Sequence, residues 1–245
     1  LFNEAGLQEW FGDSISSAGK ILKIVQFKGG QSNPTYKITT EKQQFVLRRK
    51  PPGILLPSAH AVDREYKVMT ALQQTEVPVP KTYGLCEDEG VIGTPFFVMD
   101  FLDGNIYWDL LLGDKSPAER SDIYASKNNV IAQLHMVDYE SVGLSDYGKP
   151  GNYIARQVSR WTKQYIASET QDIPAMNNLI DWLPSNIPDE DETSIVHGDY
   201  RLDNMVFNAA NNVMGVLDWE LSTLGHPIAD FNYHCISWRN IPDLA

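Results

Sequence analysis

Cysteine is scarce in this chain: Cys86 and Cys235 are the only two among 245 residues. Two thiols make neither a disulfide framework nor a metal knuckle, and a reducing cytoplasm is the expected setting. No apolar run approaches the ~20 residues of a membrane-spanning helix, so no membrane partner is expected. The opening Leu1-Phe-Asn-Glu-Ala has no basic segment ahead of an apolar one and does not read as a signal peptide. It also lacks a starting Met. Positive charge is in deficit: 20 Lys and Arg against 32 Asp and Glu leave a net charge of −12. That argues against nucleic acid as the main partner. A cationic substrate would suit such a surface, although acidic surfaces ordinarily just keep proteins soluble. No G-x-x-x-x-G-K-[ST] string occurs, which argues against a Walker-type nucleotide hydrolase. Internal repeats and low-complexity tracts are absent as well.

What is present fits a globular protein, with 42% hydrophobic and 21% charged residues. The length allows one two-lobed domain or two small ones. One stretch organises the rest. Apolar runs at Ser194–Val196 and Met205–Phe207 flank a loop holding His197, Asp199, Arg201, Asp203 and Asn204. A third run, Val213–Leu217, ends on Asp218. The pattern reads as strand, loop, strand, turn at Asn211-Asn212, strand, with an acid at the exit. It gathers Asp199, Asn204 and Asp218 around one small volume. Asn204 and Asp218 suit Mg²⁺, which prefers carboxylate, amide and phosphate oxygens. Asp199 is left to orient a hydroxyl nucleophile, the division of labour that phosphoryl transfer needs. The competing reading is plain: Asp and Asn are common turn formers, and an Asp at a strand exit is often only a cap.

The string His197-Gly198-Asp199-x-x-x-x-Asn204, followed by Leu217-Asp218-Trp219-Glu220, resembles the aminoglycoside phosphotransferase and choline kinase group, small-molecule relatives of protein kinases. In protein kinases the loop reads H-R-D-x-x-x-x-N and the later acid opens D-F-G. Gly198 in place of Arg, and Asp-Trp-Glu in place of Asp-Phe-Gly, point to the small-molecule branch. The wording is most similar to phosphotransferase domains fused to acyl-CoA dehydrogenases. The resemblance implies an α+β, two-lobed protein-kinase-like fold. Its N-lobe, residues 1–102, would be a small antiparallel sheet with one main helix and would bind the nucleotide. Its mainly helical C-lobe, residues 103–245, would hold the catalytic loop and part of the acceptor site. Relatives carry further helices beyond the position of Ala245, and these complete the acceptor pocket. The implied reaction moves the γ-phosphoryl group of ATP, or GTP, to a hydroxyl of a small molecule. A hydroxy acid or hydroxyacyl thioester is favoured; aminoglycosides, amino alcohols and sugars are the alternatives.

Along the chain, residues 4–12 read as a helix, and Ile21–Phe27, Thr35–Thr40 and Gln44–Arg49 as strands. The loop from Lys28 to Pro34 would cover the nucleotide phosphates, with Ser32 and Asn33 near them, although it is also an ordinary hairpin connection. Val46 and Arg48 share a strand face, which puts Arg48 where the family's phosphate-gripping Lys is expected; Arg49 or Lys50 takes that place if the register slips. In the helix read over 58–74, Glu65 would pair with that cation, or else be a surface acid beside Lys67. Strands follow at 82–86 and 95–101. The backbone of Asp100 and Leu102 would meet the adenine edge, with Asp103 near the ribose. Helices are expected over 117–138, 151–170 and 174–183, then a solvated acidic connector at 188–192.

The resemblance assigns Asp199 as the base and Asn204 with Asp218 as Mg²⁺ ligands. His197 and His135 become braces of the loop, and Asp230 a support for its backbone. His226 departs from the family's Asp at its position, and Arg201 has no assigned role. Two other readings compete. A catalytically inactive nucleotide-binding module is kept open by Arg48. A protein kinase is disfavoured because the interval from Asp218 to Asp230 is too short for an activation segment. The residues set no oligomeric state.

Overall fold

The computed structural model of the chain describes residues 2–28, 33–53, 60–189 and 192–239. In chain order the elements are α1 (Glu4–Ser14), β1 (Ile21–Gln26), β2 (Thr35–Thr40), β3 (Gln44–Arg49), α2 (Val62–Leu72), β4 (Thr82–Cys86), α3 (Glu89–Ile92) and β5 (Phe96–Asp100). There follow α4 (Pro117–His135), α5 (Tyr153–Ser168), α6 (Pro174–Trp182), β6 (Ser194–Val196), β7 (Met205–Phe207), β8 (Val213–Val216), β9 (Thr223–Gly225) and α7 (Pro227–Arg239). These make an α+β protein, as the sequence implied. Its compact units are Leu1–Gln133 with Arg201–Leu221, and Leu134–Tyr200 with Ser222–Ala245.

The first unit is built on an antiparallel sheet in the order β1-β2-β3-β5-β4. Strand alternation sorts its side chains to two faces. Phe45 and Leu47 of β3, with Phe96 and Val98 of β5, join Leu7 and Phe11 of α1 in one buried cluster. The rings of Phe11 and Phe45 meet edge to face at 5.4 Å, and those of Trp10 and Phe96 at 4.9 Å. α1 can form there because the Asn3 side chain caps it, accepting from the Gly6 N–H at 3.1 Å. The opposite face takes α2, where Tyr66 lies 6.1 Å from Phe97. Val46 and Arg48 are on that side, which is how a cation comes to face a helix bearing an acid. β5 is an inner strand, so both of its faces are apolar and Phe96 to Met99 are all buried. The hairpin β7–β8 belongs to the same unit, tied to the segment after β5 through Asn105 and Phe207.

The second unit holds α5, α6, the pair β6–β9 and α7. β6 takes β9 as its antiparallel partner, with Ile195 opposite Leu224, while β7 pairs with β8. Strands of three residues are too short for periodicity to mark their partners, which is why β9 is invisible in the sequence pattern. α4 starts in a reciprocal capping box: the Ser116 N–H donates to Glu119 Oε2 at 2.8 Å, and the Glu119 N–H to Ser116 Oγ at 3.3 Å. It ends at His135 rather than 138, because Asp138 turns back to accept from the Glu140 N–H at 3.1 Å. Among the described residues no helix is long and apolar enough to cross a membrane.

Candidate active site

Arg48 sits at the centre of the first unit's polar cluster. Its Nε lies 2.9 Å from Glu65 Oε2. Nη2 pairs with Asp218 Oδ1, and Glu220 Oε2 is 3.7 Å away. One guanidinium therefore serves three carboxylates. Burial lowers the pKa of Arg48, but the charges of Glu65, Asp218 and Glu220 override it and leave the guanidinium above its ordinary value. Glu65 is only 1% exposed. Burial, reinforced by the nearby negative charges of Asp218 and Glu220, outweighs the attraction of Arg48 and pushes its carboxyl up to about 7. Asn33 is buried beside it, donating from Nδ2 to Glu65 Oε1 at 2.8 Å, and His60 Nδ1 stands 3.2 Å from Asn33 Oδ1.

The raised Glu65 carboxyl has a consequence for stability. Its contribution is fully present below its unfolded value near 4.5 and is lost as pH rises through about 7. The shift corresponds to about 3 kcal/mol, at roughly 1.4 kcal/mol per unit. Urea unfolding of the nucleotide-free protein between pH 5 and 8 is expected to show that decline, and Glu65→Gln to remove it. Equal slopes for the two proteins would contradict the environment described for Glu65.

The neighbouring candidate cations are engaged elsewhere. Arg49 is turned to the other sheet face, where its Nε donates to Thr94 Oγ1 at 2.8 Å. Lys50 Nζ lies 3.8 Å from Asp63. Arg48 is thus the strand-three cation on Glu65. Ser32 lies outside the described residues.

Asp218 follows β8 with φ +63°, a left-handed backbone that a non-glycine residue holds only where its surroundings impose it. Two contacts impose it here. The Leu217 N–H donates to the Asn204 carbonyl at 2.8 Å, fixing the backbone of the residue just before Asp218. Trp219 is fully buried and its indole N–H donates to the Val216 carbonyl at 3.0 Å. The 3₁₀ turn Trp219–Leu221 packs against α2, so Asp218 and Glu220 both reach Arg48. Gly215 leaves room for the Leu102 side chain, whose Cδ1 would have to move aside for a Cβ there. In the segment leaving β5, the Asp100 N–H is spent on the Lys81 carbonyl at 2.8 Å, and Asp100 Oδ1 accepts from Tyr83 at 2.7 Å.

The loop carrying Asp199 is organised by α7 within the second unit. Asp230 Oδ2 accepts the His197 N–H at 2.5 Å and Oδ1 the Gly198 N–H at 2.8 Å. His135 Nε2 is 3.4 Å from Asp230 Oδ2. Gly198 adopts φ +83°, a conformation that would strain any side-chain-bearing residue. His197 is fully buried and its Nδ1 accepts the Asp199 N–H at 3.2 Å, the position of a brace. The Asp199 carboxylate itself accepts from Tyr233 Oη at 2.9 Å. His226 Nδ1 accepts the Ile228 N–H at 3.2 Å, so it caps the start of α7 as a carboxylate would. Arg201 forms a 2.8 Å surface pair with Asp203, worth little. Sequence reasoning missed Tyr233, whose one signal was its spacing three residues beyond Asp230 on a common helix. It also missed the proximity of Glu220 to Arg48, two residues past Asp218.

This arrangement can be set beside known proteins. The profile of the phosphotransferase enzyme family matches residues 23–245. The chain belongs to that family. Acyl-CoA dehydrogenase family member 10 of Mus musculus is 50% identical over 218 residues, covering 89% of this chain and 20% of that protein. Human acyl-CoA dehydrogenase family member 11 is 46% identical over 250 residues, covering 98% and 32%. The chain thus spans about a fifth to a third of the length of these curated relatives. A crystal structure from Ralstonia eutropha JMP134, provisionally named an aminoglycoside phosphotransferase, superposes with a TM-score of 0.91 at 54% identity, covering 99% of this chain and 72% of that one. Two further structures share the fold alone. They are the streptomycin–ATP complex of APH(2")-IIa, at TM-score 0.63 and 19% identity over 94% and 75% of the two chains, and the GDP complex of aminoglycoside 2'-phosphotransferase-IIIa, at 0.68 and 16% over 96% and 79%. The fold is therefore protein-kinase-like, and the chain is a member of a family of phosphotransferase enzymes.

The residues of this phosphotransferase fit a magnesium ion. Asn204 and Asp218 supply an amide and a carboxylate oxygen, both hard donors. Among the described residues no group of three or more His, Cys, Asp or Glu forms a ready-made ligand set. Mg²⁺ keeps several waters and takes only one or two carboxylates beside phosphate oxygens, so Asn204 and Asp218 are the residues that would hold it.

Proposed function

We propose that the chain transfers the γ-phosphoryl group of ATP, with GTP as the other donor, to a hydroxyl of a hydroxy acid or hydroxyacyl thioester in the cytoplasm. The observation that carries this reading is the buried Arg48 shared among Glu65, Asp218 and Glu220, a cation prepared for phosphate oxygens. Arg48 orients the α- and β-phosphates, with its Nε edge held by Glu65. The backbone of Asp100 and Leu102 receives the base. Asn204 and Asp218 hold Mg²⁺, which neutralises charge developing on the phosphates. Asp199 accepts a hydrogen bond from the acceptor hydroxyl and takes its proton late, as the oxygen bonds to the γ-phosphorus and the bridge to the leaving diphosphate breaks. Residues 1–102 act as the nucleotide lobe and 103–245 as the catalytic lobe. The acceptor class is supported by the acyl-CoA dehydrogenase relatives.

A screen of ATP consumption across hydroxy acids, hydroxyacyl-CoAs, amino alcohols and aminoglycosides tests the acceptor. Turnover confined to the last two classes would reject the assignment. Asp218→Ala tests the nucleotide side. It is expected to weaken Mg-nucleotide binding at least about tenfold, the lower end of what even the outer partners of a metal contribute. Unchanged Mg-ADP affinity by calorimetry would remove Asp218 from the metal site.

A further inference from the structure

The side chain assigned above to the metal is already held by a cation of the protein. We infer that Arg48 is a latch on Asp218, occupying it in the nucleotide-free enzyme and releasing it when phosphates draw the guanidinium away. This rests on the reading of Asp218 as a metal ligand.

The two ends of Arg48 differ in a way that suits the role. Its Nε edge is anchored on Glu65, a carboxylate 1% exposed and further fixed by Asn33. Its Nη2 end reaches Asp218, whose side chain is 33% exposed, with Glu220 beside it. The open end can exchange partners while the buried edge stays in place. Phosphate is the natural competitor, since a planar guanidinium binds it bidentately and with charge assistance. A lysine ammonium, the residue that the family pattern leads one to expect, is a single point charge without a separate edge and end. A metal arriving alone must compete with an adjacent cation for the same carboxylate, and like charges on one ligand repel. Nucleotide removes the competitor. Metal and nucleotide are thus positively coupled, and by linkage the coupling is mutual.

Mn²⁺, followed by the loss of its free electron paramagnetic resonance signal, is the probe, titrated with and without ADP. The wild type is expected to bind Mn²⁺ at least tenfold more weakly alone than with ADP. Arg48→Met should raise the affinity for Mn²⁺ alone by about tenfold and narrow that difference. Because Arg48→Met leaves Glu65 buried without its cation, Glu65→Gln/Arg48→Met is titrated beside it. At pH 8, where Glu65 is ionised, the double variant keeps the formal charge of the cluster unchanged, so a gain there reports release of Asp218 rather than a general field. Unchanged or weaker binding of Mn²⁺ alone in both variants, each shown folded by its thermal transition, would overturn the latch. Asp218→Asn separates the two readings: retention of full Mn²⁺ affinity with ADP defeats the metal assignment. Loss there, without a gain in the Arg48 variants, defeats the latch alone.

Discussion

Asn in place of Asp199 is expected to lower kcat by about 10³-fold, within the 10²–10⁴ range that a positioned base contributes, while leaving ADP affinity nearly unchanged. The separation follows from where the groups reside. Asp199 is held in the second unit, by His197 and Tyr233. Arg48, Glu65, Asn204 and Asp218, the groups assigned to nucleotide and metal, all lie in the first. Asn keeps an oxygen for the Tyr233 hydroxyl and the same volume, so the substitution removes basicity and little else. Steady-state kinetics with the identified acceptor, alongside calorimetry with Mg-ADP, checks both halves. A variant retaining a tenth or more of wild-type turnover would show that Asp199 is not the base.

The second large effect belongs to Asp230, which touches no assigned substrate group. Its carboxylate accepts two consecutive backbone N–H groups, those of His197 and Gly198, and it is itself 1% exposed. Asp230→Ala strands both donors, each worth about 1–3 kcal/mol when left unsatisfied. A loss of about 3–5 kcal/mol in urea unfolding is expected, with kcat falling further than stability alone requires, because the loop that aims Asp199 loses its support. Asp230→Asn retains one acceptor oxygen and should recover about half of the loss. Hydrogen exchange at the amides of residues 197 and 198 checks the cause directly. A destabilisation below about 1 kcal/mol, with those amides still protected, would mean that something other than Asp230 supports the loop.

The strands of the sheet were legible because β2 alternates apolar with polar residues, β3 and β5 are short apolar runs bounded by turn signals, and side chains along any strand alternate between two faces. That alternation also put Val46 and Arg48 on one face. It did not say which of Arg48, Arg49 and Lys50 meets Glu65, because all three are compatible with a strand end. The packing decided it: Phe45 and Leu47 are claimed by α1, Arg49 by Thr94, and only the Arg48 side is left for α2. Asn33 shows the opposite case. Its place in a loop rich in Gly and Ser suggested a position at phosphate, whereas its carboxamide is occupied by Glu65 and His60, partners 32 and 27 residues away.

The sequence alone determined the chemistry on offer: a loop of His, Gly, Asp and Asn, an exit acid, and a helix with a glutamate, each readable because its information lies within one element. Tertiary structure alone decided the partnerships. The pairing of β6 with β9, the support of the 197–198 backbone by Asp230, and the sharing of Arg48 among three acids all join residues far apart in the chain. The reason is physical: periodicity and turn propensity act over a few residues, whereas buried hydrogen bonds and ion pairs are selected only when the whole chain has closed around them.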